Sequence, residues 1–230
     1  MAADDVLIIT GASTGIGAAT ARAAAEAGFR LVLAARSAEK LSALAEELGG
    51  EARARPVPTD VTRWEENEAM VRAALDAFGR VDAVFANAGF GASRGWLEET
   101  PEHWRDMVLT NVLGAAYTVR AAIPALKESR GHVFLTGSVA GRRPLPGSLY
   151  SATKHAVHAM GEAIRADLDD TGIRTTIIAP GMVETPFFSE KPSLDALQPE
   201  DVAAAVMYAI SQPRRVDVNE ILVRPTAQGT

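Results

Sequence analysis

The sequence predicts an α/β fold: a doubly wound parallel sheet with helices packed on both faces. Three observations carry this. Short apolar runs alternate with longer helical patterns from end to end. The runs are continuously apolar rather than alternating, as strands covered on both faces are. A glycine-rich turn joins the first run to the first helical pattern, the usual way a strand feeds a crossover helix.

The first strand-like run, Val6–Thr10, leads through that turn to a helical pattern over 16–27. Leu31–Ala35 is followed by Ser37, a helix N-cap type, and by a pattern over 38–48. Val57–Asp60 precedes 63–78, and Ala83–Ala86 precedes a long pattern over 101–128. Thr100-Pro101 with Glu102 and His103 opens that helix with a cap, a proline in the first turn and an acid near the positive end. His132–Gly137 leads to 149–171, Thr175–Ala179 to 199–211, and Ile221–Val223 closes the series. The irregular stretch Pro180–Pro199 holds four prolines, and a loop that long in a compact domain is more often functional than idle.

With 230 residues and no linker, repeat or low-complexity segment, the chain reads as one domain spanning residues 1–230. A net charge of −6 gives no global field toward nucleic acid or anionic lipid. The absence of cysteine excludes disulfides, thiolate metal sites and a cysteine nucleophile. Met1-Ala2-Ala3-Asp4-Asp5 lacks the basic start of a secretory signal. No apolar run approaches the roughly 18 residues of a membrane span. A cytoplasmic setting is expected.

Thr10-Gly11-Ala12-Ser13-Thr14-Gly15-Ile16-Gly17 has glycines spaced Gly-x-x-x-Gly-x-Gly between strand and helix. Such spacing allows a tight turn and close backbone approach, so that a helix N-terminus faces a pyrophosphate. The second strand ends in Ala35-Arg36-Ser37, where a site for NAD would place an acid on the ribose 2′-hydroxyl. Arg36 suits a 2′-phosphate instead and points to NADP.

Twelve residues after Ser138 stands Tyr150-Ser151-Ala152-Thr153-Lys154. At i and i+4 the phenol and the ammonium share one helix face. A nearby cation favours phenolate, so Lys154 is expected to draw the Tyr150 hydroxyl below its ordinary value of about 10. That arrangement suits proton exchange with an alcohol or a carbonyl.

Taken with Asn87-Ala88-Gly89, Asn111 and Pro180-Gly181, these motifs resemble those of the short-chain dehydrogenase/reductase family over nearly the whole chain. The resemblance implies a Rossmann-type fold of seven parallel strands in three layers, a nicotinamide cofactor and an Asn-Ser-Tyr-Lys catalytic group. Tyr150 would be the general acid or base, and Ser138 would hydrogen-bond the substrate oxygen. Lys154 would hold the nicotinamide ribose and depress Tyr150. Asn111 would anchor a water leading from Lys154 to solvent. Asp60 and Val61 would touch the adenine, and Asn87, Ala88 and Gly89 its ribose. Pro180, Gly181, Val183 and Thr185 would enclose the nicotinamide. The usual Asn-Asn-Ala-Gly begins here with Ala86, a small local change.

Substrate is expected over the C-terminal strand ends, with Phe90, Arg94, Arg142, Arg143, Leu145, Met182, Phe187 and Phe188 as candidate lining. An arginine there could clamp a carboxylate, and Phe187-Phe188 could shut water out. The segment Val218–Thr226 resembles a subgroup of NADP-dependent serine and 3-hydroxy acid dehydrogenases. A 3-oxoacyl-thioester reductase, a secondary-metabolite ketoreductase and a non-catalytic NADP(H) sensor are the alternatives. His155 and His158 have no third ligand at sensible spacing, so no metal is expected. The resemblance implies a homodimer or homotetramer built partly on the helices over 101–128 and 149–171.

Overall fold

The computed structural model describes residues 4–187 and 195–229. Strands β1 (Val6–Thr10), β2 (Arg30–Ala35), β3 (Ala54–Pro58), β4 (Ala83–Ala86), β5 (His132–Thr136), β6 (Arg174–Pro180) and β7 (Glu220–Val223) form one sheet. Its order is β3-β2-β1-β4-β5-β6-β7 and every pairing is parallel. The connections are α1 (Gly15–Glu26), α2 (Ala38–Glu47), α3 (Trp64–Phe78), α4 (Pro101–Val108) with α5 (Ala115–Ser129), α6 (Leu149–Asp167) and α7 (Pro199–Ser211).

Side-chain alternation along each strand divides the core into two layers. Leu7, Ile9, Leu31, Leu33, Phe85 and Phe134 pack on one face against α1, α2 and α7. Val6, Ile8, Val32, Val84, Val133 and Leu135 pack on the other against α3, α5 and α6. The central strands β1, β2 and β4 are almost wholly apolar because both faces are covered. The chain's direction across the sheet reverses between β1 and β4, so a crevice opens where their C-terminal ends diverge.

Three elements depart from the sequence expectation by more than one residue, each for a physical reason. The third strand lies at Ala54–Pro58 rather than 57–60. It is the edge strand, where Pro56 and Pro58 are tolerated because one row of N–H groups needs no partner. The helix expected over 149–171 stops at Asp167, and a single 3-10 turn, Asp169–Thr171, carries the chain to Gly172 in the left-handed region. The pattern over 101–128 is interrupted by a π-helical stretch, Leu109–Gly114, between α4 and α5. Wide turns of that kind often serve functional sites.

Phe134 is fully buried, edge-on to Phe85 and against the ring of His132. Phe134→Ala is expected to cost about 3–5 kcal/mol, read as a lower midpoint in urea. A loss below about 1 kcal/mol would mean that this layer repacks freely.

Candidate functional site

The glycine turn is shaped by what lies beneath it. Gly11 has φ +65°, and a Cβ there would stand 3.0 Å from the main chain of Ala88. A Cβ on Gly17 would stand 2.3 Å from the Gly11 carbonyl oxygen. Only glycine permits the loop to fold so tightly onto the start of α1. Thr14 makes no side-chain cap and the first turn of α1 has no acid. Its leading N–H groups are left for an anionic ligand.

Buried hydroxyls tie this loop to the neighbouring strands. Thr10 Oγ1 accepts from the N–H groups of Asn87 (3.0 Å) and Ala88 (3.2 Å) and donates to Phe85 O. The Asn87 amide donates to Thr10 O at 2.9 Å and accepts from Thr136 Oγ1 at 3.0 Å. Thr136 O in turn accepts from Lys154 Nζ at 2.7 Å. One chain of bonds thus runs from α6 across the ends of β5, β4 and β1.

Tyr150, Ser138 and Lys154 converge at one end of the crevice. Ser138 follows β5; its Oγ accepts from Ala140 N at 3.1 Å, and its hydroxyl is near enough to Tyr150 to pull the phenol down. Lys154 is 5% exposed, and its Nζ stands 5.6 Å from the Tyr150 ring centroid. Asn111, from the π-helical stretch, donates to Phe90 O at 2.9 Å and Thr153 Oγ1 at 3.2 Å. It accepts from Phe90 N at 3.0 Å. Asn111 therefore clasps the strand that leaves β4 against α6, beside Lys154 rather than on it.

The electrostatics correct one expectation. Withdrawal from water pushes the Tyr150 hydroxyl up to about 12, against the opposing pull of the Ser138 hydroxyl. The same burial pulls Lys154 down to about 8. Lys154 was expected to lower Tyr150. Its ammonium is instead directed to the Thr136 carbonyl, and desolvation dominates both groups.

These residues line a cleft of about 800 Å³. At its far end, past the end of β2, stand Arg36, Ser37 and Lys40; Asp60 and Val61 follow β3. Arg36, Lys40, Arg94 and Lys154 face a single carboxylate, Asp60, among the described lining residues. An acidic protein thus presents a positive cleft, which fits an extended anionic ligand laid across the glycine turn. Asp60 also closes a turn, accepting from Thr62 N and Thr62 Oγ1.

Over the Tyr150 end lies the segment after β6. Pro180, Gly181, Met182, Val183 and Thr185 line the cleft, and Phe187 stands edge-on to Tyr150 at 5.6 Å. Phe90, His103, Leu145 and Arg94 complete that end. Arg142 does not reach it: the guanidinium is paired with Glu220. Arg143 is exposed and outside the lining. Phe188 lies outside the described residues. Trp96 meets Trp104 edge-on but stays 61% exposed.

Several residues here escaped the sequence reading. Thr10 and Thr136 each end a strand immediately before a glycine, a signal masked by the β propensity of threonine. Lys40 follows Arg36 at i+4. Gln228 accepts from Met182 N at 2.9 Å and lines the cleft, which nothing local in the sequence announces.

The folded pKa of Lys154 lies below its unfolded value of 10.5. Burial of its charge therefore costs stability below pH 8, and the cost is relieved as pH rises toward 10.5. The shift corresponds to about 3 kcal/mol, partly offset by the bond to Thr136. Lys154→Met is expected to raise stability at pH 7 by about 1–3 kcal/mol, read as a higher Tm. A lower Tm would contradict the desolvation argument.

A family model described as short chain dehydrogenase matches residues 5–196. An uncharacterized oxidoreductase of Staphylococcus haemolyticus is 43% identical over 224 residues, 96% of each chain. An alcohol dehydrogenase from the archaeon Thermococcus sibiricus, solved with 5-hydroxy-NADP, has TM-score 0.91 and 34% identity, covering 98% of both chains. The closed form of a serine dehydrogenase complexed with NADP+ has TM-score 0.92 and 29% identity, covering 98% of this chain and 96% of that one. The parallel sheet, the glycine turn and these likenesses agree: the chain is an oxidoreductase of the short-chain dehydrogenase family.

Proposed function

We propose that the whole chain acts as a single catalytic domain, an NADP(H)-dependent oxidoreductase that interconverts an alcohol and a ketone or aldehyde. The observation that carries this is one cleft joining Tyr150, Ser138 and Lys154 at one end to Arg36 and Lys40 at the other. NADPH, when bound, supplies the hydride. Arg36 and Lys40 hold its 2′-phosphate, the glycine turn and the start of α1 its pyrophosphate, and Asp60 and Val61 its adenine. Asn87, Ala88 and Gly89 border the adenine ribose; Pro180, Gly181, Val183 and Thr185 enclose the nicotinamide.

The chain's own residues handle the proton. In carbonyl reduction the substrate oxygen gains negative charge, which the Ser138 and Tyr150 hydroxyls are placed to meet. Tyr150, held at about 12, is a phenol throughout the neutral range and donates its proton to that oxygen. Lys154 stays charged below about pH 8, favouring the phenolate left behind. Asn111 fixes Phe90 and Thr153 on either side and so keeps α6 in register with the substrate end. Phe90, Leu145, Met182 and Phe187 give the reacting carbon an apolar surround.

Arg94, exposed at the mouth of that end, favours a substrate carrying a carboxylate, as in a 3-hydroxy acid or serine. The likeness to serine dehydrogenase supports the same choice. A cytoplasmic homodimer or homotetramer using α4, α5 and α6 belongs to this reading, and light scattering on the purified chain reads the assembly.

The reading is tested by following NADP-linked oxidation of serine, 3-hydroxypropionate, 3-hydroxybutyrate and simple secondary alcohols, with the matching carbonyls run in reverse. Turnover of hydroxy acids in preference to plain alcohols is expected, with Arg94→Ala raising KM for the acids alone. Tight NADPH binding without turnover of any compound would make the chain a sensor instead. Tyr150→Phe is expected to lower kcat by about 10²–10⁴-fold with NADPH affinity within a few-fold; wild-type turnover would end the acid–base assignment. Removing Arg36 and Lys40 together should weaken NADPH by about 10-fold or more and NADH little. Equal losses would remove the 2′-phosphate role.

The pH profile follows from the sign of the Lys154 shift. A depressed ammonium is protonated below about 8 and lost above it. Carbonyl reduction is therefore expected to be level in the neutral range and to fall as pH rises through about 8. A rate that climbs through that window would contradict the role given to Lys154.

A further inference from the structure

The helix face that carries Tyr150 and Lys154 continues for one more turn to His158. The His158 ring is 8% exposed and lies under the 3-10 turn Val139–Gly141 that follows Ser138. Its Nε2 accepts a long hydrogen bond, 3.4 Å, from the backbone N–H of Ser138. An accepting Nε2 leaves the ring proton on Nδ1. Nδ1 faces Glu220 Oε1 at 3.8 Å, within charge–dipole range though beyond a direct bond. Glu220 is steered from the other side by Arg142, whose Nε donates to Oε1 at 2.8 Å and whose second nitrogen meets Oε2.

The space for this ring is created by two glycines. A Cβ on Gly137 would stand 2.5 Å from His158 Nε2, and one on Gly141 would stand 2.5 Å from His158 Cδ2. Both flank Ser138, so the imidazole and the serine turn are fitted to each other. The charged and titratable neighbours come from three elements: Lys154 and His155 on α6, Arg142 after the turn, and Glu220 on β7. Burial, then the Arg142 charge, holds the imidazole down to about 4, so the ring is neutral and its acceptor lone pair is available at working pH. Nothing in the acid–base scheme uses this buried histidine directly.

We propose that His158 is a positioning residue, fixing the Ser138 main chain through Nε2 and so aiming the Ser138 hydroxyl at Tyr150, while Glu220 and Arg142 hold its tautomer. The proposal rests on the assignment of Ser138 and Tyr150 as the pair that meets the substrate oxygen. It extends the site by a layer: Arg142 acts from outside the cleft rather than on substrate.

Three readouts test it, two of which need no turnover. Nitrogen-15 NMR of the histidines in the wild-type chain should show His158 as the Nδ1–H tautomer; the Nε2–H tautomer overturns the proposal. Amide exchange over residues 138–141 should quicken by about 10-fold in His158→Leu; unchanged exchange overturns it. With NADPH and a turned-over carbonyl, His158→Leu should lower kcat by about 10-fold while NADPH affinity stays within about twofold. His158→Gln, whose carboxamide oxygen accepts the same N–H, should return to within about threefold of wild type; rescue no better than leucine overturns it. If His158→Leu does not fold, Glu220→Leu serves. It should populate the Nε2–H tautomer and lower kcat, and a variant unchanged in both overturns the proposal. A wild-type chain that binds NADPH but turns over no carbonyl contradicts the oxidoreductase chemistry. The tautomer and exchange results would then still decide the place of His158.

Discussion

The bond from the Lys154 ammonium to the Thr136 carbonyl is the constraint on which the site's geometry depends. A buried cation is costly unless a strong acceptor meets it, and here the acceptor is the last carbonyl of β5. With the packing of Val157 and Gly161 on Leu135 and Ile177, that contact ties α6 to the end of β5, one turn after Tyr150. Thr136 passes the constraint on through its hydroxyl to Asn87, and Asn87 to Thr10, at the root of the glycine turn. The two ends of the cleft are thereby built from one set of bonds. Because each member is buried or partly buried, a partly satisfied network would cost more than an apolar one.

Burial acts in opposite senses on the two ionisable groups at that end. It disfavours whichever form is charged, so the phenol rises and the ammonium falls. The outcome is a proton donor that stays protonated beside a cation still charged in the neutral range. Of the cleft's other cations, Arg36 and Lys40 sit at the distant end of an otherwise acidic protein and Arg94 at the Tyr150 end.

The fold was legible because it depends on local pattern. Seven apolar runs and the intervening helices follow from strands covered on both faces, and no long-range information is needed to see them. The third strand was expected at Val57–Asp60 but lies at Ala54–Pro58, because an edge strand tolerates both Pro56 and Pro58. The π-helical stretch at Leu109–Gly114 has no signature of its own: it is a choice made by packing, with Gly114 admitting the Val61 side chain. Site residues read from motifs, such as Ser138, Tyr150 and Lys154, came together because their spacing is tied to the same strand ends. Contacts set by tertiary structure could not be read. Arg142 and Glu220 are 78 residues apart and Thr136 and Asn87 are 49 apart. No periodicity predicts either pair, which is why Arg142 looked like a substrate arginine and Thr136 like an ordinary strand residue.

The dependence of both cleft ends on one network is tested most directly by a double-mutant cycle on NADPH affinity, measured by fluorescence, for Thr10→Val and Thr136→Val. Both substitutions act on Asn87, one from each side. The double variant is expected to bind NADPH no worse than the weaker single one, a coupling of about 1 kcal/mol or more. Losses that simply multiply would show two independent hydroxyls and contradict it.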